Sequence, residues 1–259
     1  PHSGSLYPAE FNTLVSHKRM RRAEDAFVDE LFAAAPDYGA TLIAATFPRL
    51  FLDPNRAPED FLASDAIGDF NMILNPTKKA EVGKGIVWTR LHGISSLYAS
   101  PLTAEEVMRR IEKYWRPYHG AVQWALNSMY AKFGRVFHIN CHSMRALGNP
   151  TDDDGESARP DFVISDGDQV TSDTAFTEFV SAYLKDQNYT VFINEPYKGA
   201  DLVHRYSAPI KDRHSVQIEI NRKLYMDESS VTKTTGFEGF RDVITGLVAS
   251  LSDYAGSRK

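Results

Sequence analysis

The sequence has a single cysteine, Cys141, among its 259 residues. An internal disulfide framework and a thiolate zinc finger both need several cysteines, so both classes are excluded. Long apolar runs are also missing, and none approaches the ~20 residues that a membrane-spanning helix needs. The scarcity of cysteine fits a reducing compartment. We therefore expect a cytoplasmic protein that has no membrane partner.

Positive charge is not in excess. The chain has 29 Lys and Arg residues against 34 Asp and Glu residues, which gives a formal net charge of -5. A mildly acidic chain is a poor candidate for binding nucleic acid or an anionic membrane surface, so neither is an expected partner.

Several catalytic motifs are missing as well. The sequence contains no Gly-x-Ser-x-Gly elbow, no Walker A loop, no His-Glu-x-x-His and no complete Gly-x-Gly-x-x-Gly, since residues 82–88 hold only a Gly-x-Gly. These absences weigh against a serine hydrolase, a nucleotide-binding protein and a zinc protease of the helical type.

Periodic segments alternate along the chain. Apolar residues at helical spacing predict helices over 19–35, 103–115, 121–133, 173–186 and 239–251. Apolar and β-branched runs predict strands over 39–47, 135–140, 189–194 and 214–221. A capping-box spacing from Thr103 to Glu106 begins one helix, Pro117 ends it, and the polar run 148–157 predicts a surface loop. This alternation favours a mostly parallel sheet covered on both faces, in one α/β domain over 1–259.

Polar residues end the strand that begins at Val136. On a strand, alternate residues share a face, so His138, Asn140 and His142 lie on the same side. Open α/β sheets place their ligands just beyond the carboxyl ends of their strands. His142 is therefore a candidate functional residue.

Three further polar positions admit two interpretations each. Glu219 lies on the polar face of its predicted strand, which is either solvated or part of a cleft. Residues 53–56, Asp-Pro-Asn-Arg, form either a surface turn or part of a site. His2 lies in a Pro/Gly context that fits a turn between a strand and a helix, and a lone histidine there is more often not a ligand.

Nine motifs, taken in order, resemble the N-formylglutamate amidohydrolase family. They are PHSGSLYP, EDAFVDELF, LDPNR, GIVW, RPYHGA, INCHSM, RPDFVISD, NEPYKGADLVHRY and QIEINRKLYMDE. The resemblance covers nearly the whole chain. It implies a relationship to the zinc carboxypeptidases and to the aspartoacylase and succinylglutamate desuccinylase group, whose fold is a three-layer α/β/α sandwich around a mixed, mostly parallel sheet.

The resemblance also implies a zinc site with two histidines, a carboxylate and one open position, as catalytic zinc requires. His2 and His142 would be the histidine ligands. Asp25 is the first choice for the carboxylate, Glu24 is the second and Asp29 the third.

The remaining roles come from the same resemblance. Glu219 would be the general base that later protonates the leaving amine. Arg56 and Asn55 would bind the substrate carboxylate, because a guanidinium pairs with a carboxylate through two hydrogen bonds. Arg205 is a second candidate for the distal carboxylate, and Arg49 for polarising the scissile carbonyl.

The implied reaction is hydrolysis of N-formyl-L-glutamate to formate and L-glutamate, the closing step of one histidine-degradation route. Alternatives are a deacylase of another acidic N-acyl amino acid or small peptide, and an inactive relative that binds an acidic metabolite. Asn140 and Ser165 motivate the second alternative, because the family commonly has an acid and a glycine there. His119 fits either packing or a pocket wall, and a homo-oligomer is left open.

Overall fold

The computed structural model describes residues 1–91, 93 and 94, 96–149 and 154–257. Residues 150–153 of the predicted loop lie outside this range. The helices α1 to α8 span His17–Met20, Val28–Leu31, Lys78–Glu81, Ala104–Arg110, Arg116–Phe133, Thr174–Asp186, Asp201–Tyr206 and Phe237–Ser257. The strands β1 to β8 span Ala66–Ile67, Leu102–Thr103, Val136–Met144, Phe162–Ser165, Val191–Ile193, Arg213–Asn221, Met226–Asp227 and Thr232–Lys233.

Backbone contacts divide the chain into two compact units, each made of two stretches of sequence. The first unit is Pro1–Ala26 with Ile43–Gln123, and the second is Phe27–Leu42 with Trp124–Lys259. The single domain expected over 1–259 stays a prediction. Among the described residues, none of the helices is both long and apolar enough to cross a membrane.

The second unit contains a mixed four-stranded sheet in the order β3-β6-β4-β5. β3 runs parallel to β6 and β4 runs parallel to β5, whereas β4 and β6 are antiparallel. On one face, Phe137 packs on Phe176 of α6 and Phe162 packs on Phe240 of α8. Tyr206 of α7 lies edge-on to His138 on the other face. The fold is therefore mixed α/β with helices on the sheet, while the carboxypeptidase-like sandwich stays a prediction.

The first unit is built mainly of loops around an aromatic core. Its buried residues include Phe11, Phe47, Leu50, Phe51, Leu52, Phe61, Ile86, Trp88, Val107 and Trp115. The predicted capping box is confirmed at its first residue, since Thr103 Oγ1 accepts a hydrogen bond from the Glu106 backbone N–H at 3.1 Å. The predicted break at Pro117 is wrong. A π-helical turn over Ile111–Trp115 leads directly into α5, and Pro117 is the second residue of that helix, so the helical run continues through the proline.

The continuous helix predicted over 19–35 is also wrong. Glu24 is extended, with φ -67° and ψ 149°, and Phe27 adopts the left-handed region with φ 66°. The Asp25 backbone N–H donates to the carbonyl of His2 at 3.0 Å instead of to a helical partner. A tertiary contact therefore overrides helix propensity.

The strand predicted over 39–47 does not form. The end of this segment lies against the N-terminal stretch, where the Leu6 N–H donates to the carbonyl of Thr46 at 2.9 Å. A side chain at Gly4 would lie 2.3 Å from the carbonyl oxygen of Phe47, so only glycine allows this approach. Ala45 and Phe47 are thus buried without a strand ladder, whereas Leu42 is exposed.

Candidate active site

His2 is held by two carboxylates in the first unit. Its Nε2 lies 2.6 Å from Asp53 Oδ1 and its Nδ1 lies 3.2 Å from Asp25 Oδ2. At most 1% of each of these side chains is exposed. A carboxylate that accepts a hydrogen bond from one ring nitrogen leaves the lone pair of the other nitrogen for a metal. Asp53 therefore holds His2 with Nδ1 on the side of Asp25.

Asp53 is a site residue that the sequence interpretation missed. Its Oδ2 accepts from Arg49 Nη2 at 2.9 Å, and its Oδ1 accepts from the Asn55 backbone N–H at 2.9 Å. Burial raises the pKa of Asp53, but the charges of His2 and Arg49 outweigh burial and hold it well below its usual range. The interpretation of 53–56 as a surface turn is wrong at this residue. The sequence feature that could have revealed the burial of Asp53 is the apolar run directly before it, Leu50–Leu52, which is fully buried.

Three buried side chains, His2, Asp25 and His142, form a candidate metal site. Each offers one ligand atom, and these atoms all lie within 4.8 Å of one another. Ligand atoms about 2.1 Å from a tetrahedral zinc are roughly 3.4 Å apart, close to the separation of His2 Nδ1 from Asp25 Oδ2. Two imidazoles and one carboxylate are also a donor set that zinc prefers, so the residues fit this ion.

The two other carboxylates considered as ligands have different surroundings. Glu24 is buried, its Oε1 accepts from the hydroxyl of Tyr7 at 2.7 Å, and its Oε2 accepts from Arg21 Nε at 3.2 Å. Burial raises the pKa of Glu24, and these donors offset part of the increase. Asp29 lies in the first turn of α2 and is partly exposed. The carboxylate that lies close to His2 and His142 is therefore that of Asp25, and not that of Glu24 or Asp29.

In the second unit, Glu219 lies on β6 beside the end of β3. It is the parallel partner of His142 in the strand register, and 8% of it is exposed. Gln217 Nε2 donates to Glu219 Oε1 at 2.9 Å, and Asn140 Nδ2 donates to Gln217 Oε1 at 3.3 Å. Because a carboxylate only accepts, the Gln217 amide must present its nitrogen to Glu219 and its oxygen to a donor.

Gln217 was not recognised from the sequence, although its spacing of two residues from Glu219 signals a shared face. The two departures from the family pattern are accommodated by hydrogen bonds. Asn140 supplies the donor to Gln217, and Ser165 Oγ donates to the carbonyl of Tyr197 at 2.8 Å.

The predicted substrate-binding residues of the first unit lie in or near the 53–56 turn. Asn55 is buried, whereas Arg56 is partly exposed and lies 3.8 Å from Asp60. Arg49 has 19% of its side chain exposed, pairs with Asp53, and lies over the ring of Trp88. The guanidinium groups are thus oriented by acidic or aromatic neighbours, and their roles toward substrate stay predictions.

Arg205 lies in the last turn of α7 in the second unit. Its Nε and Nη2 donate to Asp201 at 2.7 and 2.8 Å, a bidentate pair within one helix. His138, the other histidine on the polar face of β3, pairs with Ser215 Oγ at 2.7 Å. Burial lowers the pKa of His138 to about 4, so this histidine is neutral at pH 7.

Comparison with known proteins decides the family. The sequence profile of the N-formylglutamate amidohydrolase family matches residues 1–226. The chain belongs to this family.

Its similarity to named members extends over most of the sequence. A solved N-formylglutamate amidohydrolase from Ralstonia eutropha JMP134 is 37% identical, with a TM-score of 0.93 over 99% of this chain and 92% of that one. An N-formylglutamate deformylase of Pseudomonas putida is 28% identical over 88% of this chain and 80% of its own length. A Pseudomonas aeruginosa protein with the same name is 28% identical over 97% and 90% of the two lengths.

Proposed function

We propose that this protein hydrolyses N-formyl-L-glutamate to formate and L-glutamate. Its family, and the names of the relatives from Ralstonia and Pseudomonas, support this substrate. The observation that carries the chemistry is the buried donor set of His2, Asp25 and His142. Two imidazoles and one carboxylate, with the fourth position open, are typical of catalytic rather than structural zinc.

A zinc ion bound to these residues would supply a water whose pKa is lowered to about 7. His2 would bind through Nδ1, because Asp53 occupies Nε2 at 2.6 Å. Glu219 would take the proton from the attacking water and deliver it to the leaving amine. The 2.9 Å hydrogen bond from Gln217 leaves one carboxylate oxygen of Glu219 oriented for this transfer.

The substrate carries two carboxylates, so its recognition needs fixed cations and donors. We assign Asn55 and Arg56 to one carboxylate and Arg205 to the other, and Arg49 to the scissile carbonyl. Arg56 and Arg205 have 20% and 34% of their side chains exposed, which leaves each able to meet a solute. The carboxypeptidase-like sandwich, the single domain and a cytoplasmic location belong to the same proposal, supported by the family relationship and the single cysteine.

The test is formate release from N-formyl-L-glutamate by zinc-loaded protein, beside chelator-treated protein and the Glu219→Gln variant. Glu178→Gln is the matched control, because Glu178 is an exposed residue of α6. We expect zinc-loaded wild-type protein and the control to release formate, and the other two samples to lose at least about 100-fold of the rate.

Two outcomes would contradict the proposal in different ways. Hydrolysis of the N-acetyl or N-succinyl analogue without hydrolysis of the formyl substrate would show that the proposed substrate is wrong, while the proposed chemistry would stand. Binding of these acids without release of any acyl group, in zinc-loaded protein, would favour an inactive relative.

A further inference from the structure

The 53–56 turn is attached to a helix through two ring N–H groups. Trp115 Nε1 donates to the carbonyl of Arg56 at 2.9 Å, and His119 Nε2 lies 2.8 Å from the carbonyl of Pro54. Since a carbonyl only accepts, this contact fixes the Nε2–H tautomer of His119. The two rings stack with centroids 3.7 Å apart and planes 18° apart. Two carbonyls of the turn thus contact one stacked pair of rings.

The π-helical turn explains how Trp115 reaches this position. The Arg116 N–H donates to the carbonyl of Ile111, five residues earlier. Residues five apart are ~140° away from each other around an α-helix, but a π-turn brings them close to the same face. Trp115 therefore shares a face with Arg110, whose Nη1 donates to the carbonyl of Phe51 at 3.1 Å. The same helical run thus holds the chain on both sides of Asp53.

The turn is internally closed but needs an external anchor. The Arg56 N–H donates to the carbonyl of Asp53 at 3.2 Å, and the Asn55 N–H donates to Asp53 Oδ1. These bonds define its conformation. They join residues of the same turn and so do not fix its place in the unit. At Asp53 that place is fixed by the 2.7 Å hydrogen bond from its N–H to the carbonyl of Ile86 and by the contacts of its carboxylate with His2 and Arg49. The hydrogen bonds from Trp115 and His119 fix the rest of the turn, at Pro54 and Arg56.

We propose that Trp115 and His119 are positioning residues that hold Asn55 and Arg56 for the substrate carboxylate. This inference rests on the proposed function. Preorganisation of a binding group lowers the cost of ordering it when the ligand binds. Loss of either ring N–H therefore weakens substrate affinity more than it slows the chemical step, which depends on Glu219.

Substitutions can separate the hydrogen bond from the packing of the rings. Trp115→Phe and His119→Phe keep an aromatic ring and remove the donor, whereas His119→Gln keeps a donor near the position of Nε2. We expect the two phenylalanine variants to raise KM about tenfold with kcat within about threefold, and His119→Gln to stay within about threefold of wild type in both. Trp124→Phe is the matched control, because 71% of Trp124 is exposed.

Hydrogen exchange provides a readout that does not depend on activity. In the phenylalanine variants, amide exchange in the peptide that contains 53–56 is expected to accelerate, while exchange in 136–144 stays unchanged. Unchanged KM and unchanged exchange would overturn the proposal. An increase in KM in His119→Gln as large as that in His119→Phe would also overturn it, since altered packing of the ring alone would then explain both increases. If wild-type protein releases no formate, the proposed function fails, and the exchange measurement still decides whether the rings hold the turn.

Discussion

Replacing Asp53 with asparagine tests how His2 is prepared for a metal. The carboxylate accepts from His2 Nε2 at 2.6 Å and from Arg49 Nη2 at 2.9 Å. Both neighbours are donors, and an asparagine amide has only one oxygen. If the amide nitrogen faces His2, it donates to Nε2 and moves the ring proton to Nδ1, which then has no lone pair for a metal. If it faces Arg49 instead, two donors oppose each other.

Both arrangements weaken zinc binding. Loss of a group that orients a metal ligand typically lowers metal affinity about 10–100-fold. Asp53 is fully buried. Its two charge-assisted hydrogen bonds are worth ~1.5–3 kcal/mol each, and asparagine keeps part of them, so the free energy of unfolding should fall by about 2–4 kcal/mol.

The assay is zinc affinity by competition with a chromophoric chelator, with urea unfolding of the metal-free protein. Asp65→Asn is the matched control, because Asp65 is a partly buried acid that accepts from Thr89 at 2.6 Å and pairs with Arg90. It should lose stability but keep wild-type zinc affinity. Wild-type zinc affinity in Asp53→Asn would refute this account of His2.

Three further predictions concern the second unit. Gln217→Leu should lower kcat about tenfold or more without changing zinc content, because the 2.9 Å hydrogen bond to Glu219 is lost. Steady-state rates and metal analysis check this prediction, and an unchanged kcat would contradict it. Phe176→Ala should lower the free energy of unfolding by about 3–5 kcal/mol, since Phe176 is fully buried against Phe137, and a loss below 1 kcal/mol in urea unfolding would be inconsistent with that packing. Burial raises the pKa of Asp161, but hydrogen bonds from Thr190 and Lys223 outweigh burial and hold it below its usual range. This carboxylate therefore stabilises the fold above pH ~4 and loses that contribution as the pH falls through its lowered pKa. The free energy of unfolding of wild type should exceed that of Asp161→Asn by ~1 kcal/mol at pH 7, and the difference should shrink toward pH 3.

The helices and strands that the sequence predicted well are those whose residue pattern depends on nearby positions in the chain. β6 alternates apolar and polar residues between Arg213 and Asn221, and α6 begins at a cap where Asp173 accepts from the Phe176 N–H. Such signals depend on side-chain period and on backbone capping, both readable within a dozen residues.

The elements that sequence predicted wrongly are set by contacts distant in the chain. The break at Glu24 and Asp25 comes from a bond to His2, some twenty residues away. The burial of Asp53 depends on its pairing with His2 and Arg49, which a turn motif cannot reveal. The family resemblance pointed to His2 and Glu219 as site residues, but the residues that hydrogen-bond to them, Asp53 and Gln217, emerged only from the structure.

We propose that a metal held by His2, Asp25 and His142 serves the hydrolysis of N-formyl-L-glutamate. The most direct measurement is formate release by metal-free protein during titration with zinc, with His142→Asn as the comparison. We expect a rate that rises linearly to one zinc per chain and then stays constant, and no rise in His142→Asn. Full activity in the metal-free protein, or equal zinc-dependent activity in His142→Asn, would contradict it.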